Sequence, residues 1–504
     1  MNRSKAVSFF LVLLLAVLSV SSCSGLKTVC TVNCGTGNGT VAVTMVADTL
    51  PANPSLLTFQ VTISSITFTP ASGVATTVNL NPALTVDLMR LQSDTVFLGT
   101  FANIPAAQYT SVTLAISGNA NITFFNDTNA TVSLCTAGAI CPLSVAASSL
   151  PMATVSFTAT QNIVTGIGID LNLANAVSIS GGNLTVNFSN QSVLSGFTLP
   201  RQGSNLAAGQ LDLIEDFTGV VSITNQSVTL ASAAAASRGS LTASAVSATI
   251  YNPDPSGTLC PTGTTQLTSC VSNNQFASMD VVLKSDGTLA IQEIEPLLAS
   301  PRDTVEGIVG SISQSNQTQF TIVVTDMVPA AQGSLIGSLK IGDRLTVSLS
   351  NVGPFLVDTK GLSVLSGSLS NFSGQTTTGA MHLGQTVAVH VTTFTAAVGN
   401  TIASASTDTV TLRWSRFTAT PQNAATPAFS IVNFPSYFVI AQGTLLAVQT
   451  TTGTPGTAGV TNFDGIVDGS GLNLAKPVAL RALFLQDTTN TANPALFAAK
   501  VRQH

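Results

Sequence analysis

Apolar and polar side chains alternate with a period of two along most of the chain beyond residue 40. In residues 57–63 every second side chain is apolar, which is the pattern of a β-strand with one buried face. The alternation slips by one residue at Ser64 and Ser65 and resumes at Ile66 and Phe68, which predicts a β-bulge within one bent strand. Proline, glycine and asparagine interrupt such runs throughout, so the pattern predicts an all-β chain.

The strands group into several domains, because 504 residues are too many for one hydrophobic core. Residues 41–197 are predicted to form one antiparallel β-sandwich, followed by a linker at 198–209 that is rich in turn-forming residues. Three small β-barrel or sandwich modules are predicted after the linker, at roughly 210–300, 303–398 and 399–504.

Repeated motifs support this division of the second half of the chain. Gly219-Val220-Val221 and Gly307-Ile308-Val309 each open a unit and are followed by a polar turn and β-branched residues. Residues 339–347 and 381–389 share the pattern L/M-x-x-G-x-x-L/V-x-V, which predicts a glycine turn just before a strand.

Two local signals complete the prediction of secondary structure. Asp286-Gly287 stands between two apolar strand patterns and predicts a two-residue hairpin. Residues 231–237 form the one helical candidate beyond the N-terminal leader.

Several of these patterns resemble known bacterial families. Residues 41–197, through the segments 48–51, 86–91 and 104–109, resemble a bacterial lipoprotein family catalogued as domain of unknown function 4382. The later modules are similar to the small β domain of unknown function 5666, through their glycine-valine openings and glycine-turn motifs. Neither family has an established activity, so the resemblance implies an architecture and no catalytic residues.

The first 23 residues carry the pattern of an export signal. Arg3 and Lys5 precede an almost wholly apolar stretch at 6–20, and small residues stand directly before Cys23. The apolar stretch is shorter than the roughly 20 residues that a membrane-spanning helix needs. Residues 1–22 are therefore predicted to be a cleaved signal peptide.

Small residues followed by a cysteine resemble the lipobox of bacterial lipoproteins. The resemblance implies acyl chains on Cys23, which would anchor the protein stably in a membrane. Because Ser24 follows the cysteine, it also implies the outer membrane. Residues 23–40 are predicted to be a flexible spacer. The alternative is an ordinary secretory signal, with Cys23 as a disulfide partner.

Charged residues are scarce, at 8% against the roughly 25% usual in soluble domains, while 45% of the residues are hydrophobic. The formal net charge is -5, and Arg90 is the one cation between Lys27 and Arg201. Nucleic acid needs several cations set against phosphates, so it is excluded as a partner. The surface is expected to consist mainly of neutral polar residues.

The cysteines beyond Cys23 fall into three close pairs. In an exported protein such pairs predict local disulfides that pin loops. No histidine lies near any pair, which disfavours a metal site. The predicted pairs are Cys30 with Cys34, Cys135 with Cys141, and Cys260 with Cys270.

The chain contains none of the common catalytic motifs, such as G-x-S-x-G, H-E-x-x-H or the phosphate-binding loop. The histidines are His382, His390 and His504. In one strand the first two would be too far apart to share a metal ion, so we expect surface or strand-end positions for them. No metal or cofactor is predicted.

Neighbouring carboxylates are the remaining catalytic candidates, since glycosidases use two. Glu293 and Glu295 would share one face of a strand, and we expect that face to be a solvated edge. Glu215 with Asp216 is the other pair.

Other charged residues have simpler predicted roles. Asp464-Gly465 and Asp468-Gly469 lack the ligand alternation of a calcium loop and are interpreted as hairpin turns. Arg90, flanked by Asp87 and Asp94, is interpreted as part of a local ion pair, with ligand anchoring as the alternative.

These observations favour a non-catalytic envelope lipoprotein that acts as a structural or binding scaffold on the cell surface or in the periplasm. A glycan- or envelope-polymer-binding protein that uses the sandwich loops is the alternative. A hydrolase whose residues converge only in three dimensions is a weaker one. A pocket that gathers two or more of the scarce carboxylates or histidines would count against a purely structural role.

Overall fold

A computed structural model describes residues 37–503, except for 49, 52, 232–238, 439, 441–442, 455–456, 458 and 487–493. The predicted signal peptide, Cys23, the pair Cys30 and Cys34, most of the spacer, nearly all of the helical candidate and His504 lie outside the described residues. Among the helices of the described part, none is both long and apolar enough to cross a membrane. The predicted multidomain all-β fold is confirmed.

The first unit, called the sandwich below, ends at Thr198. Its described strands are β1 (Asn38–Asp48), β2 (Ser55–Pro70), β3 (Thr76–Asp87), β4 (Val96–Pro105), β5 (Ala107–Phe125), β6 (Ile140–Ala146), β7 (Met152–Ala159), β8 (Val164–Asn172), β9 (Val177–Ser180), β10 (Asn183–Val186) and β11 (Leu194–Thr198). It also contains a 3-10 turn at Arg90–Gln92 and the short helix α1 (Leu173–Ala176).

Nine of these strands form one sheet in the order β3-β2-β5-β7-β11-β8-β1-β4, with β6 paired to β5, and they enclose one shared apolar core. Most pairs are antiparallel, as predicted, but β1 runs parallel to β8 over nine residue pairs. The predicted bulge in β2 is confirmed, because its register shifts between Ile63 and Ser65 against both neighbouring strands.

Three further units follow, called the first, second and third barrel. The first barrel consists of β12 (Gln210–Thr224), β13 (Ser227–Ala231), β14 (Ser240–Tyr251), β15 (Phe276–Lys284) and β16 (Leu289–Leu298), with the helix α2 (Leu267–Cys270). The second consists of β17 (Thr304–Ile312), β18 (Gln319–Val328), β19 (Arg344–Leu349), β20 (Leu356–Val357), β21 (Thr386–Thr395) and β22 (Ala403–Arg413), with α3 (Ser366–Ser370) and a 3-10 turn (Thr378–Ala380). The third consists of β23 (Ser415–Pro421), β24 (Ala428–Val432), β25 (Leu446–Thr450), β26 (Asn462–Asp464), β27 (Val478–Gln486) and β28 (Pro494–Arg502), with 3-10 turns at Ser436–Phe438 and Gly469–Gly471.

The three barrels share one topology. When the short strands β20 and β26 are left aside, each barrel has five strands. The first pairs antiparallel with the second and the fourth, and the third runs parallel to the fifth, so the five strands close into a ring. This is the strand order of the OB-fold, a five-stranded Greek-key barrel. The short strands β20 and β26 lie beside β22 and β28 in the second and third barrels.

The repeated glycines have a structural reason. A side chain at Gly219 would lie 2.4 Å from the carbonyl oxygen of Ala231, and one at Gly307 would lie 2.5 Å from that of Val323. Both glycines lie in the first strand of a barrel, where the second strand passes too closely for a Cβ atom. The predicted glycine turns at Gly342 and Gly384 also precede strands, with φ values of +91° and +86°.

The four units pack against one another instead of lying apart along the chain. Strand β22 belongs to the second barrel, so the predicted border at 398/399 lies inside that barrel. Strand β27 is buried on both faces: Leu480 points into the core of the third barrel, whereas Leu483 packs with Trp414 and the core of the second. Leu57 of the sandwich packs into the third barrel's core as well.

Candidate functional site at the junction of the four units

A large share of the scarce charged residues lies inside the protein. Of the 17 lysines and arginines, seven have side chains that are at most 9% exposed and lie where the four units meet. We call these residues and the acids that contact them the central ion network. The cations are Arg90, Lys360, Arg413, Arg416, Arg481, Lys500 and Arg502.

Asp216 is the hub of this network. It lies in a β-bulge of β12, where the register shifts between Ile214 and Phe217, and its φ of 51° is in the left-handed region. Such bulges re-aim side chains, and strained backbone of this kind is often kept at functional sites. The bulge turns the carboxylate towards cations from all three other units: Arg90 of the sandwich, Lys360 and Arg413 of the second barrel, and Arg416 of the third.

The contacts of Asp216 are close and buried. Its oxygens lie 3.2 Å from Arg413, 3.3 Å from Lys360 and 3.5 Å from Arg90, and Ser278 donates a hydrogen bond at 2.9 Å. Burial alone would raise the pKa of Asp216, but the four surrounding cations hold that pKa well below its usual value. Asp216 is therefore a permanent anion at physiological pH.

The interpretation of Arg90 as part of a local ion pair is correct only in part. Arg90 lies 3.9 Å from Asp94, but it lies closer to Asp216 of the first barrel and to Asp326 of the second, at 3.5 and 3.4 Å. Asp94 in turn binds Arg416 of the third barrel at 2.6 Å. Sequence distance could not reveal these partners, because they come from other units.

A second part of the network joins the first and third barrels. Glu215, next to the hub, pairs with Lys500 and lies 3.3 Å from Arg481. Asp464 pairs with Arg502 at 2.7 Å. The prediction of a hairpin turn at Asp464 is therefore wrong, because this residue ends β26 and its carboxylate belongs to the network. Asp468 does cap a turn, accepting the Ser470 N–H at 2.8 Å.

The prediction of a solvated edge at Glu293 and Glu295 is also wrong. Their strand, β16, is covered by the neighbouring units, and Glu295 is only 2% exposed. Burial raises the pKa of Glu295 to about 8. Burial and the nearby Asp280, its cross-strand neighbour, raise the pKa of Glu293 to about 7. Asn252 donates a hydrogen bond of 2.6 Å to Glu293.

The network is electrostatically asymmetric. The first barrel contributes only acids to it, the third contributes mainly cations, and the second contributes both. Complementary charge of this kind fixes which surfaces meet and in which register. The acids of the first barrel are Glu215, Asp216 and Asp280, and the cations of the third are Arg416, Arg481, Lys500 and Arg502.

Small cavities adjoin the network. One of about 40 Å³ lies where the three barrels meet and gathers Glu215, Asp280 and Glu293 together with Lys360 and Arg481. Another of about 50 Å³ has mostly apolar walls and is lined by Glu306, Asp326, His390 and Arg413, among others. The scarce carboxylates thus do share pockets, which is the observation that would count against a purely structural role. The volumes are far below the roughly 300 Å³ or more of typical ligand sites.

The structure keeps the two described histidines in separate surroundings. The His382 ring meets the edge of Phe484 at 5.9 Å, and His390 in β21 lies 3.2 Å from Arg302. Burial, and then the charge of Arg302, lower the pKa of His390 to about 4. Within the described ranges, no group of three or more histidine, cysteine, aspartate or glutamate side chains could hold a metal ion.

Disulfide bonds join two of the predicted cysteine pairs. Cys135 is bonded to Cys141 in the sandwich, and Cys260 to Cys270 in the first barrel. Each bond closes a short loop within one unit. The links between units therefore come from packing and the ion network.

Sequence reasoning did not find most of the network. Arg413, Arg481 and Lys500 received no predicted role. Arg481 and Lys500 each interrupt a strongly apolar strand, whereas Arg413 ends a strand of mainly small and hydroxyl side chains. A cation within a strand that is apolar on both faces is the sequence signal for a buried ion pair, because a buried cation needs an anion as its partner.

The fold and the site define a multidomain all-β protein: a sandwich and three OB-like barrels joined around a buried ion network. Residues 38–189, which make up most of the sandwich, match the model of a family described as Domain of unknown function (DUF4382). This match confirms the resemblance of the first unit. No curated protein matches the chain.

Proposed function

We propose that the protein is a non-catalytic lipoprotein of a bacterial envelope, whose four β units form one rigid structural or binding scaffold. The observation that carries the proposal is the contact of Asp216 with cations from all three other units. A network of this kind selects one arrangement of the domains, because any other packed arrangement would leave some of these charges buried without a partner. Rigid spacing of surfaces is what a scaffold needs.

The distribution of charge supports a protein that acts by binding its partners and not by catalysis. The network takes up seven of the 17 cations. The outer surface is correspondingly poor in the charges that would attract nucleic acid. Its partners would be the membrane, through the lipid, and an envelope polymer or protein.

The proposal of export and lipidation depends on the N-terminal sequence. The proposal of the outer membrane depends on Ser24, the residue that follows Cys23. Palmitate labelling of cells expressing the full chain tests this part. We expect a labelled protein that fractionates with the outer membrane, and loss of label in Cys23→Ala. Equal labelling of Cys23→Ala and the unchanged protein would contradict it, whereas Cys135→Ala should keep the label and serves as the control.

Membership of the barrels in the small β family catalogued as domain of unknown function 5666 is part of the same proposal. The shared strand order of the three barrels supports it, as do the matching positions of Gly219 and Gly307 in the first two.

Hydrolysis is disfavoured by the surroundings of the carboxylates. The raised pKa values of Glu293 and Glu295 are of the kind that general acids have. However, Glu215 and Asp280 are held by cations, and the cavity of about 40 Å³ beside Glu293 cannot admit a sugar ring or a peptide bond with its flanking groups. A broad hydrolase screen of the purified protein should show no turnover. Turnover that Glu293→Gln abolishes would overturn the non-catalytic proposal.

Polymer binding is the second candidate, and one groove favours it. A groove of about 340 Å³ runs between the second and third barrels, and neutral hydroxyl and amide side chains line it beside a phenylalanine. Neutral hydroxyl and amide groups along a groove suit an uncharged glycan. The lining residues include Ser363, Gln449, Thr450, Thr451, Thr452 and Phe497. The sequence predicts glycan binding at the sandwich loops, whereas the proposed binding site is this groove between two barrels.

A glycan array followed by titration tests this candidate. We expect a dissociation constant below the millimolar range and weaker binding by Gln449→Ala. Gln108→Ala, on an exposed face of the sandwich, is the matched control and should bind normally. Equal binding by the two variants would remove the groove from consideration.

A further inference from the structure

Two residues that line the cavity at the meeting point of the three barrels have buried N–H groups without acceptors among the described residues. Within the described residues, Trp414 Nε1 and the Arg481 Nε and Nη1 atoms are buried and have no hydrogen-bond partner. Trp414 is 0% exposed and Arg481 is 3% exposed, and both residues line the cavity. Buried N–H groups almost always have a partner, because losing one costs about 1–3 kcal/mol.

Other groups around the same cavity are already engaged. Arg481 uses its Nη2 atom to contact Glu215 at 3.3 Å and Asp280 at 3.8 Å. Lys360 donates to Ser278 and Asp280 at 3.1 and 3.2 Å. Since Trp414 and Arg481 have no further acceptor within the described protein, their partner must come from a molecule in the cavity.

The charges of the residues that line the cavity indicate which kind of molecule binds there. Three carboxylates, Glu215, Asp280 and Glu293, would repel an anion, while Lys360 and Arg481 would repel a metal cation. A neutral molecule that both accepts and donates hydrogen bonds satisfies both sets of groups. The volume of about 40 Å³ accommodates only very small molecules, since one water needs about 10–15 Å³ of such space.

We propose that this cavity is a binding site for a cluster of ordered water molecules, which accept hydrogen bonds from Trp414 and Arg481 and donate to the surrounding carboxylates. The cluster links all three barrels, because the lining comes from Glu215 and Glu293 of the first, Lys360 of the second and Arg481 of the third. Bridging waters are nearly as favourable as direct hydrogen bonds. The waters are therefore a resident part of the central ion network.

The single tryptophan makes the test direct, because Trp414 gives the one indole N–H resonance of the protein. In the full-length protein we expect a magnetisation-transfer peak between this N–H and water, with slow exchange of the proton itself. Rotating-frame measurements separate dipolar contact from proton exchange by the sign of the peak. An indole resonance without a dipolar water peak would overturn the proposal.

Crystallography distinguishes water from an anion. We expect ordered density within hydrogen-bond distance of Trp414 Nε1 and Arg481 Nε, and no anomalous signal there after a bromide soak. Bromide at that position would replace the proposal with an anion site, and a cavity without density would also contradict it. In Trp414→Phe, whose ring fits the same space, the water nearest the ring should be lost while the one at Arg481 stays.

Discussion

The Asp216 carboxylate of the first barrel lies 3.2 Å from the Arg413 guanidinium of the second barrel, and both side chains are almost completely buried. Arg413 also contacts Glu306 at 3.2 Å and Asp358 within its own barrel. Buried ion pairs add little net stability, but removing one partner is costly, since the other charge stays behind in a poorly solvated place. The network therefore determines how the units fit together more than how stable each one is.

Replacing the hub should be severe. Asp216→Ala leaves four buried cations without their shared anion, and we expect it to lower the free energy of unfolding by at least about 3–5 kcal/mol, the cost of breaking one buried pair. Urea denaturation followed by circular dichroism measures the change, as the free energy of the first transition in which β structure is lost. Asp408→Ala is the control, because its pair with Arg302 is 35–45% exposed and should contribute no more than about 1 kcal/mol. Equal losses in the two variants would show that the hub has no special role.

Stability should fall as the pH rises from about 6.5 to 8. The pKa of Glu295 is raised by burial to about 8, so the folded protein keeps a proton that the unfolded chain, with its pKa near 4.5, has already released. Rising pH therefore favours the unfolded chain until the folded carboxyl also ionises, by up to about 1.4 kcal/mol per pH unit for each such group. The half-buried His382 and His390, whose pKa values are lowered, act in the opposite direction, but only below about pH 6.5.

Glu295→Gln tests the assignment of this pH dependence. Glutamine has the shape of the protonated acid and does not titrate, so the variant should lose less stability than the unchanged protein between pH 6.5 and 8. Melting temperatures across this range give the comparison. Asp286→Asn, on an exposed hairpin where the pKa is lowered, should leave the slope unchanged. An unaltered slope in Glu295→Gln would assign the pH dependence to another group.

The repeated glycines should respond alike to substitution. Gly219→Ala and Gly307→Ala would each bring a Cβ atom against a carbonyl oxygen of the second strand of the barrel, so both should lower the melting temperature by several degrees. Gly337→Ala is the matched control, because a Cβ atom there meets nothing within 4 Å. A loss at Gly337 as large as at the other two would mean that close strand approach is not the cause.

Local features of the fold could be predicted from the sequence. The slip in alternation at Ser64 correctly marked a bulge. Asp286-Gly287 correctly marked a hairpin between β15 and β16, although its loop spans four residues, 285–288, instead of the two predicted. The glycines at 342 and 384 precede strands as expected. These features depend on residues a few positions apart, so the sequence carries them directly.

The ion network could not be predicted in the same way. A period of two shows that a strand has two faces, but it does not distinguish a face in water from one covered by another domain. Glu295 was assigned to a solvated edge for that reason. The partners of Asp216 are distant in the sequence: Arg90 is 126 residues away and Arg413 is 197 residues away. Only the packing of the units brings them together.

Differential scanning calorimetry of the full-length protein tests the central claim most directly. If the buried network makes the four units one body, the chain should unfold in a single transition with a calorimetric enthalpy close to the van't Hoff enthalpy, although proteins of this size usually unfold domain by domain. Asp216→Ala should split that transition into several. Separate transitions in the unchanged protein, or a single one that survives in Asp216→Ala, would contradict the account.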